Sequence, residues 1–338
     1  MPPGRRWGDG IAMGEVAVEV VRGGRVESRH RVDACVVDAM GTVVLAAGPV
    51  DAPVYPRSAV KPFQALPLVE SGAADAFGVS DEELALACAS HGGEPMHVER
   101  VAAWLARLGF QESDLACGPH PPLNAAAAAA MIAEGRRPTR LHNNCSGKHT
   151  GMLAACLHQG WPTAGYARPD HPLQRVIARD LADLADVPEL AAPGTDGCSL
   201  PAFIMPLRAL ALAASRLATA ARPALGRIGR AMRAHPELVA GTGRLCTVLM
   251  GAVPDVIAKT GAEGVFLAAS PSAGLGVALK AEDGATRAAE VALLALLDHL
   301  GLIPPAARER LAPFARPRLR DFNGIEVGEI RPAAGWPA

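Results

Sequence analysis

Two short runs in this chain carry residues suited to acyl transfer: Ser58-Ala59-Val60-Lys61, and, far down the sequence, Lys259-Thr260-Gly261. A serine hydroxyl is almost wholly protonated at neutral pH and attacks a carbonyl only when a base stands beside it. A lysine can be that base once burial or a neighbouring cation lowers its pKa. Lys61 stands three residues after Ser58, about one helical turn, and Lys259 could supply the second cation.

The elements that hold these residues can be read locally. Residues 58–70 follow a Pro-rich approach (Pro53, Pro56) and predict a short helix with Ser58 at its N-terminal edge. Pro62 then falls where a missing backbone donor does least harm, and the positive end of the helix dipole lies near Ser58, where it favours a developing oxyanion. Residues 255–261 read as an apolar strand ending in a lysine and a glycine. A serine and lysine at this spacing also occur on ordinary surface helices. Joined to a strand-borne Lys-Thr-Gly, they form the motif pair of serine β-lactamases and penicillin-binding proteins.

Further polar chemistry is concentrated in three turns. Ser90-His91-Gly92-Gly93-Glu94 follows an apolar helix over residues 84–89, and Ser90 is either a second site serine or part of an ordinary helix exit. Residues 141–152 (LHNNCSGKHTGM) form the densest polar cluster, with Cys145 and Lys148 near the start of a helix expected over 150–158. Thr195-Asp196-Gly197-Cys198-Ser199 brings a second cysteine in a similar turn. Two thiolates brought together could bind zinc. The paired Cys or His half-sites of zinc motifs are missing, however, and by convention His142 and His149 would be the other ligands.

The whole chain places these runs in an ordinary globular class. Of 338 residues half are hydrophobic and a fifth charged, enough for one catalytic domain over 1–338. A net charge of −1 without long basic runs argues against nucleic acid or an anionic membrane as partner, and favours a small molecule. No apolar run reaches the roughly eighteen residues of a membrane span. Residues 1–14 lack the apolar centre of a secretory signal, and the seven scattered cysteines suit a reducing compartment, so a cytoplasmic location is expected.

The order of elements predicts an α+β fold. Strands over 16–22, 31–38 and 42–47 should form an antiparallel meander within a first sheet segment, 10–50. A mainly helical region, 58–245, includes the capping box Ser80-Asp81-Glu82-Glu83 and a helix over 98–108 stopped by Gly109. A second sheet segment, 246–300, holds strand candidates at 255–259, 264–269 and 276–280 and an apolar helix over 286–300. The last three dozen residues are Pro- and Arg-rich and lie beyond this segment. Such an antiparallel sheet, built from both ends of the chain around a helical middle, would bring Lys259 against the front of the Ser58 helix. Alternating βαβ units are absent, which disfavours a doubly wound sheet.

Taken together and in order, Arg57-Ser58-Ala59-Val60-Lys61-Pro62-Phe63-Gln64, Ser90-His91-Gly92-Gly93-Glu94, His142-Asn143-Asn144-Cys145-Ser146-Gly147-Lys148-His149, His171-Pro172-Leu173-Gln174, Asp196-Gly197-Cys198 and Lys259-Thr260-Gly261 resemble the asparaginase II family of the Rhizobium etli inducible type. The resemblance spans nearly the whole chain. It implies hydrolysis of L-asparagine to L-aspartate and ammonia, a serine β-lactamase/transpeptidase-like fold also similar to glutaminases, a homodimer, and a zinc site beside the catalytic centre.

Carried over residue by residue, it implies two serine-lysine tandems, Ser58 with Lys61 and Ser90 with Lys259. It implies Cys145, Lys148 and Cys198 as zinc ligands in place of the histidines, and Arg57, His149 and Asp196 as substrate-binding residues. The expected mechanism is double displacement, with Ser58 attacking or with the roles of Ser58 and Ser90 exchanged, and with zinc positioning rather than hydrolysing. Two alternatives share some of these residues. One is a penicillin-recognising serine hydrolase, and the other is a zinc- or amino-acid-binding protein without turnover.

Overall fold

In a computed structural model, which describes residues 14–337, the chain builds one large antiparallel sheet from both of its ends. Its strands are β1 (Glu15–Arg22), β2 (Arg25–Val37), β3 (Val43–Ala47), β4 (Ile257–Thr260), β5 (Val265–Ser270), β6 (Leu275–Ala281), β7 (Arg318–Arg320) and β8 (Glu326–Pro332). They lie in the order β7-β8-β1-β2-β6-β5-β4, and β3 also pairs with β2. The architecture is α+β.

Local chemistry accounts for much of this order. Gly23 and Gly24 both have positive φ (54° and 79°), the backbone that a two-residue hairpin needs to match the strand twist, and they join β1 to a β2 that starts earlier than its apolar residues suggest. Strand β5 is buried at every position and the second half of β2 almost so. Continuous burial of this kind requires cover on both faces. Helices α1 (Leu207–Ala218) and α2 (Thr286–His299) both pack on the central strands. Helix α1 approaches so closely that a Cβ on Gly276 of β6 would lie 2.2 Å from the Ala211 carbonyl oxygen.

The structure departs from sequence expectation in two places. Residues 318–332, expected to lie outside the sheet, supply two of its strands: β8 pairs with β1, and β7 is the edge. These strands show little apolar alternation because most of their residues are only half-buried, with Ile330 the one buried position among them. Cross-strand ion pairs such as Arg331 with Glu19 (3.1 Å) and Arg318 with Glu326 (2.9 Å) take the place of a buried face. The single helix expected over 58–70 is broken into a 3-10 turn, Arg57–Val60, and two short helices, Lys61–Gln64 and Leu66–Glu70. Pro62 and Pro67 each open one of the short helices, where their missing N–H costs least.

Between the two sheet segments lie mainly helices, among them Asp81–Ala87, Pro95–Arg107, Ser146–Gln159 and Pro172–Ala185. Ser80 caps the first through the reciprocal bonds of a capping box with Glu83. No helix among the described residues is long and apolar enough to cross a membrane. The first strand of the expected segment 10–50 begins at Glu15, and residues 10–13 lie outside the described residues.

Candidate active site

Gly261 fixes how the sheet meets the serine turn. A Cβ at that position would lie 2.6 Å from the Pro56 carbonyl oxygen and 3.3 Å from the Ala59 nitrogen, so only glycine lets the end of β4 rest against residues 56–59. The turn itself is strained, with Arg57 at φ 51°, a left-handed conformation costly for a side chain of this size. Ser58, the next residue, is half-buried, at the mouth of a site whose lysines are fully buried.

Below that mouth, two lysines converge on one hydroxyl. Lys61 Nζ lies 2.9 Å from Ser90 Oγ and Lys259 Nζ 2.8 Å from it. Lys61 also donates to the Ala89 carbonyl (2.5 Å) and Lys259 to the Thr260 carbonyl (2.8 Å). All three side chains are buried. Among the described residues, Lys61 therefore bonds the hydroxyl of Ser90 and not that of Ser58, because its long stem carries Nζ past the turn. Burial pushes the pKa of both lysines down, and for Lys259 the charge of Lys61 adds to it. A depressed pKa is what a lysine base requires.

The Ser90 loop is anchored through its backbone. Its N–H donates to the Val239 carbonyl (2.9 Å), and its carbonyl accepts from Arg244 Nη1 (2.6 Å). His91 accepts from the Gly93 N–H (3.1 Å) and bonds Ser146 Oγ (2.9 Å), tying the loop to the start of Ser146–Gln159. It also stacks on His97 with ring centroids 4.8 Å apart. Gly147 permits this packing, since a Cβ there would lie 2.5 Å from the Leu86 carbonyl oxygen.

The same helix presents Lys148, whose Nζ lies 3.1 Å from Cys198 Sγ, while Cys145 precedes the helix and bonds Asn144 Oδ1 (3.1 Å). A hydrogen bond from Cys145 and the charge of Lys148 hold the Cys198 thiol well below its ordinary range, although burial opposes them. Burial also opposes the charge on Lys148, but the two sulfurs keep its pKa raised. Cys145, beside the Cys198 sulfur and buried, is pushed up to about 12. The three groups share one buried point. No cluster of three or more His, Cys, Asp and Glu with metal-binding spacing occurs among the described residues. His142 is turned to its own segment, with Nδ1 3.0 Å from the Thr139 nitrogen.

At the surface of the site, Arg57 and Asp196 pair with each other: Nη2 and Nε lie 2.8 and 3.2 Å from Asp196 Oδ1. The guanidinium keeps the Asp196 carboxyl below its ordinary range against the effect of burial. Ser199, next to Cys198, is a second residue with positive φ (71°). His149 is buried beside Lys148, with its Nδ1 2.6 Å from the Tyr166 hydroxyl. Burial, and then the charge of Lys148, lowers its pKa to about 3.

Sequence reasoning missed Arg244 and Tyr166. Neither belongs to a motif run, and only the closeness of Thr242-Gly243-Arg244 to a helix start hinted at the first. A cavity of about 1100 Å³ between Thr286–His299, Arg308–Ala315 and residues 332–337 is lined by none of the candidate-site residues. Pocket size thus does not mark the chemistry here.

The profile of the L-asparaginase II family matches residues 18–332. No curated protein is matched by the sequence. Solved structures similar to this one include Mglu in its native form, at 15% identity and a TM-score of 0.47, with 81% of this chain and 65% of that chain covered. Mglu in its native form in 4.3 M NaCl gives 16% identity and a TM-score of 0.49 over 81% of this chain and 61% of that one. A beta-lactamase-like protein from Bacteroides dorei gives 16% and 0.37 over 81% and 89%. The chain thus spans less than two thirds of the Mglu chains in these two forms.

Proposed function

Since the chain belongs to the L-asparaginase II family and is thereby an amidohydrolase, we propose that its substrate is the side-chain amide of L-asparagine, hydrolysed through a serine acyl-enzyme. The observation that carries this reading is the convergence of Lys61 and Lys259 on Ser90 Oγ, with Lys61 opening the short helix that follows the Ser58 turn.

In the proposed reaction, neutral Lys61 takes the Ser58 proton while Ser58 Oγ bonds to the amide carbon. N–H groups of the serine turn, at the positive end of the short helices, stabilise the resulting oxyanion. Ser90 serves the leaving group. A hydroxyl has two lone pairs and one proton, and with a lysine N–H on each lone pair its own O–H is left to donate. Ser90 passes that proton to the departing amide nitrogen and recovers one from a lysine. The C–N bond breaks and ammonia leaves. Water then attacks the aspartyl ester, giving its proton to a lysine; the bond from the acyl carbon to Ser58 Oγ breaks, the lysine returns that proton to Ser58, and aspartate leaves.

Arg57 and Asp196 form a pair of opposite charges that suits an amino acid's carboxylate and ammonium groups, and the fully buried His149 is a further group for the same recognition. Asparagine and glutamine differ by one methylene, worth only about 1–3 kcal/mol in a pocket, so some glutamine turnover is expected.

Cys145, Cys198 and Lys148 could serve as zinc donors, since Lys148 Nζ and Cys198 Sγ lie 3.1 Å apart and a bound metal would displace the lysine's proton. Bound there, the metal would supply a fixed positive charge and a rigid tie between the 145–148 and 196–198 turns.

One observation favours a second reading: Ser90 holds both lysine contacts, as a nucleophile would. Ammonia release from L-asparagine, with L-glutamine and a chromogenic β-lactam as parallel substrates, tests the function. Preferred turnover of asparagine supports it, and turnover of the β-lactam alone would assign the site to penicillin-type substrates.

A further inference from the structure

We propose that Tyr166 is a positioning residue that sets the tautomer of His149 and thereby holds a hydrogen-bond donor ready for substrate. This deepens the reading above, in which His149 takes part in recognising the amino acid.

The bonds run in one direction. The Ala116 N–H donates to the Tyr166 hydroxyl oxygen at 2.8 Å, so the oxygen is already an acceptor. Tyr166 is 1% exposed, and its own O–H must find an acceptor within the protein. His149 Nδ1, at 2.6 Å, is the partner, and the two rings meet edge-on with centroids 5.5 Å apart. Were Nδ1 protonated, the tyrosine would accept twice and its O–H would be stranded in the interior. Nδ1 is therefore the acceptor, which makes the imidazole neutral with its proton on Nε2.

That Nε2–H is buried and has no partner among the described residues. The helix Ser146–Gln159 sets His149 one residue after Lys148 and one turn after Cys145. A neutral donor in such a place suits an oxygen of the substrate, its carboxylate or its amide carbonyl. The tyrosine is held from outside the site. Gln174, in the His171-Pro172-Leu173-Gln174 run, donates from Nε2 to the Tyr166 carbonyl at 2.9 Å, which gives that run a physical purpose.

The test is the long-range ¹H–¹⁵N spectrum of the full-length protein labelled in histidine, with the His149 signals assigned by their loss in His149→Gln. The wild type should show Nε2 protonated and Nδ1 as an acceptor; a wild type protonated at Nδ1 overturns the proposal without recourse to any variant. In Tyr166→Phe, which keeps the ring and loses only the hydroxyl, the second tautomer should appear. The KM for L-asparagine should rise about five- to tenfold, the loss of one hydrogen bond, with kcat nearly unchanged. A changed tautomer with unchanged KM would overturn the link to substrate. His149→Gln, whose amide nitrogen stands in for Nε2, should gain no further defect from Tyr166→Phe. Because the tautomer is read without substrate, it decides this proposal even if L-asparagine proves to be the wrong substrate.

Discussion

Lys259 Nζ lies 2.8 Å from the hydroxyl of Ser90, a residue 169 positions earlier in the chain. The contact joins the end of a sheet strand to the exit of a helix, and the glycine that ends the Lys-Thr-Gly run lets the same strand end rest against residues 56–59. Lys61 reaches the same oxygen from the serine turn. The two lysines and the Ser90 hydroxyl thus form one buried polar cluster.

Ser58→Ala is expected to abolish turnover while circular dichroism and Tm stay close to the wild type, because the side chain is small and half-buried. Retention of more than a few per cent of the wild-type rate would remove Ser58 as the nucleophile. Ser90→Ala should slow leaving-group departure and leave two buried lysines facing each other without the hydroxyl between them.

The acid limb of the pH–rate profile reports the lysine bases. Burial lowers both pKa values, so the neutral form persists well below the usual lysine value of about 10.4, and activity falls as pH drops through the lowered value. The Arg244 charge adds to the depression at Lys259. In Arg244→Gln the Lys259 pKa should rise and the acid limb move to higher pH. A limb unmoved by this change would mean that Lys259 does not titrate in the rate.

Gly261→Ala should be severe for its size. The added methyl meets backbone at 2.6 Å, so the strand or the serine turn must shift. Overpacking of this kind costs about 1–3 kcal/mol of stability. A displacement of about 1 Å between catalytic groups costs about a hundredfold in rate. Calorimetry and kcat should therefore diverge, with a modest fall in Tm and a large fall in rate, whereas equal and small effects would show that the contact is soft.

Elemental analysis of protein purified without chelator is expected to find zinc, lost in Cys198→Ser and Cys145→Ser and kept in His142→Ala. The sulfurs and Lys148 share one buried point, whereas His142 is bonded to Thr139. Zinc retained by both cysteine variants would contradict this donor set.

Much of this arrangement is legible in the sequence, and the exceptions have physical causes. The meander of β1 to β3 and the strands around Lys259 carry apolar runs and glycine turns, and the L-asparaginase II motifs lie in order along the chain. Strands β7 and β8 escape notice because they are mostly half-buried and held by charged cross-strand pairs rather than by a buried apolar face. The hydrogen bond from Lys61 to Ser90 rather than to Ser58 is invisible to spacing, since a spacing fixes a face but not where a four-carbon stem ends. Arg244 and Tyr166 act through a backbone carbonyl and a single ring nitrogen, contacts that leave no pattern along the chain.

The most direct test of the serine acyl-enzyme is rapid acid quenching of the protein during turnover of L-asparagine, followed by peptide mass mapping. The account predicts an increment of one aspartyl group on the peptide that contains Ser58, absent in Ser58→Ala. The same increment on the Ser90 peptide, with Ser58 unmodified, would contradict it and exchange the roles of the two serines.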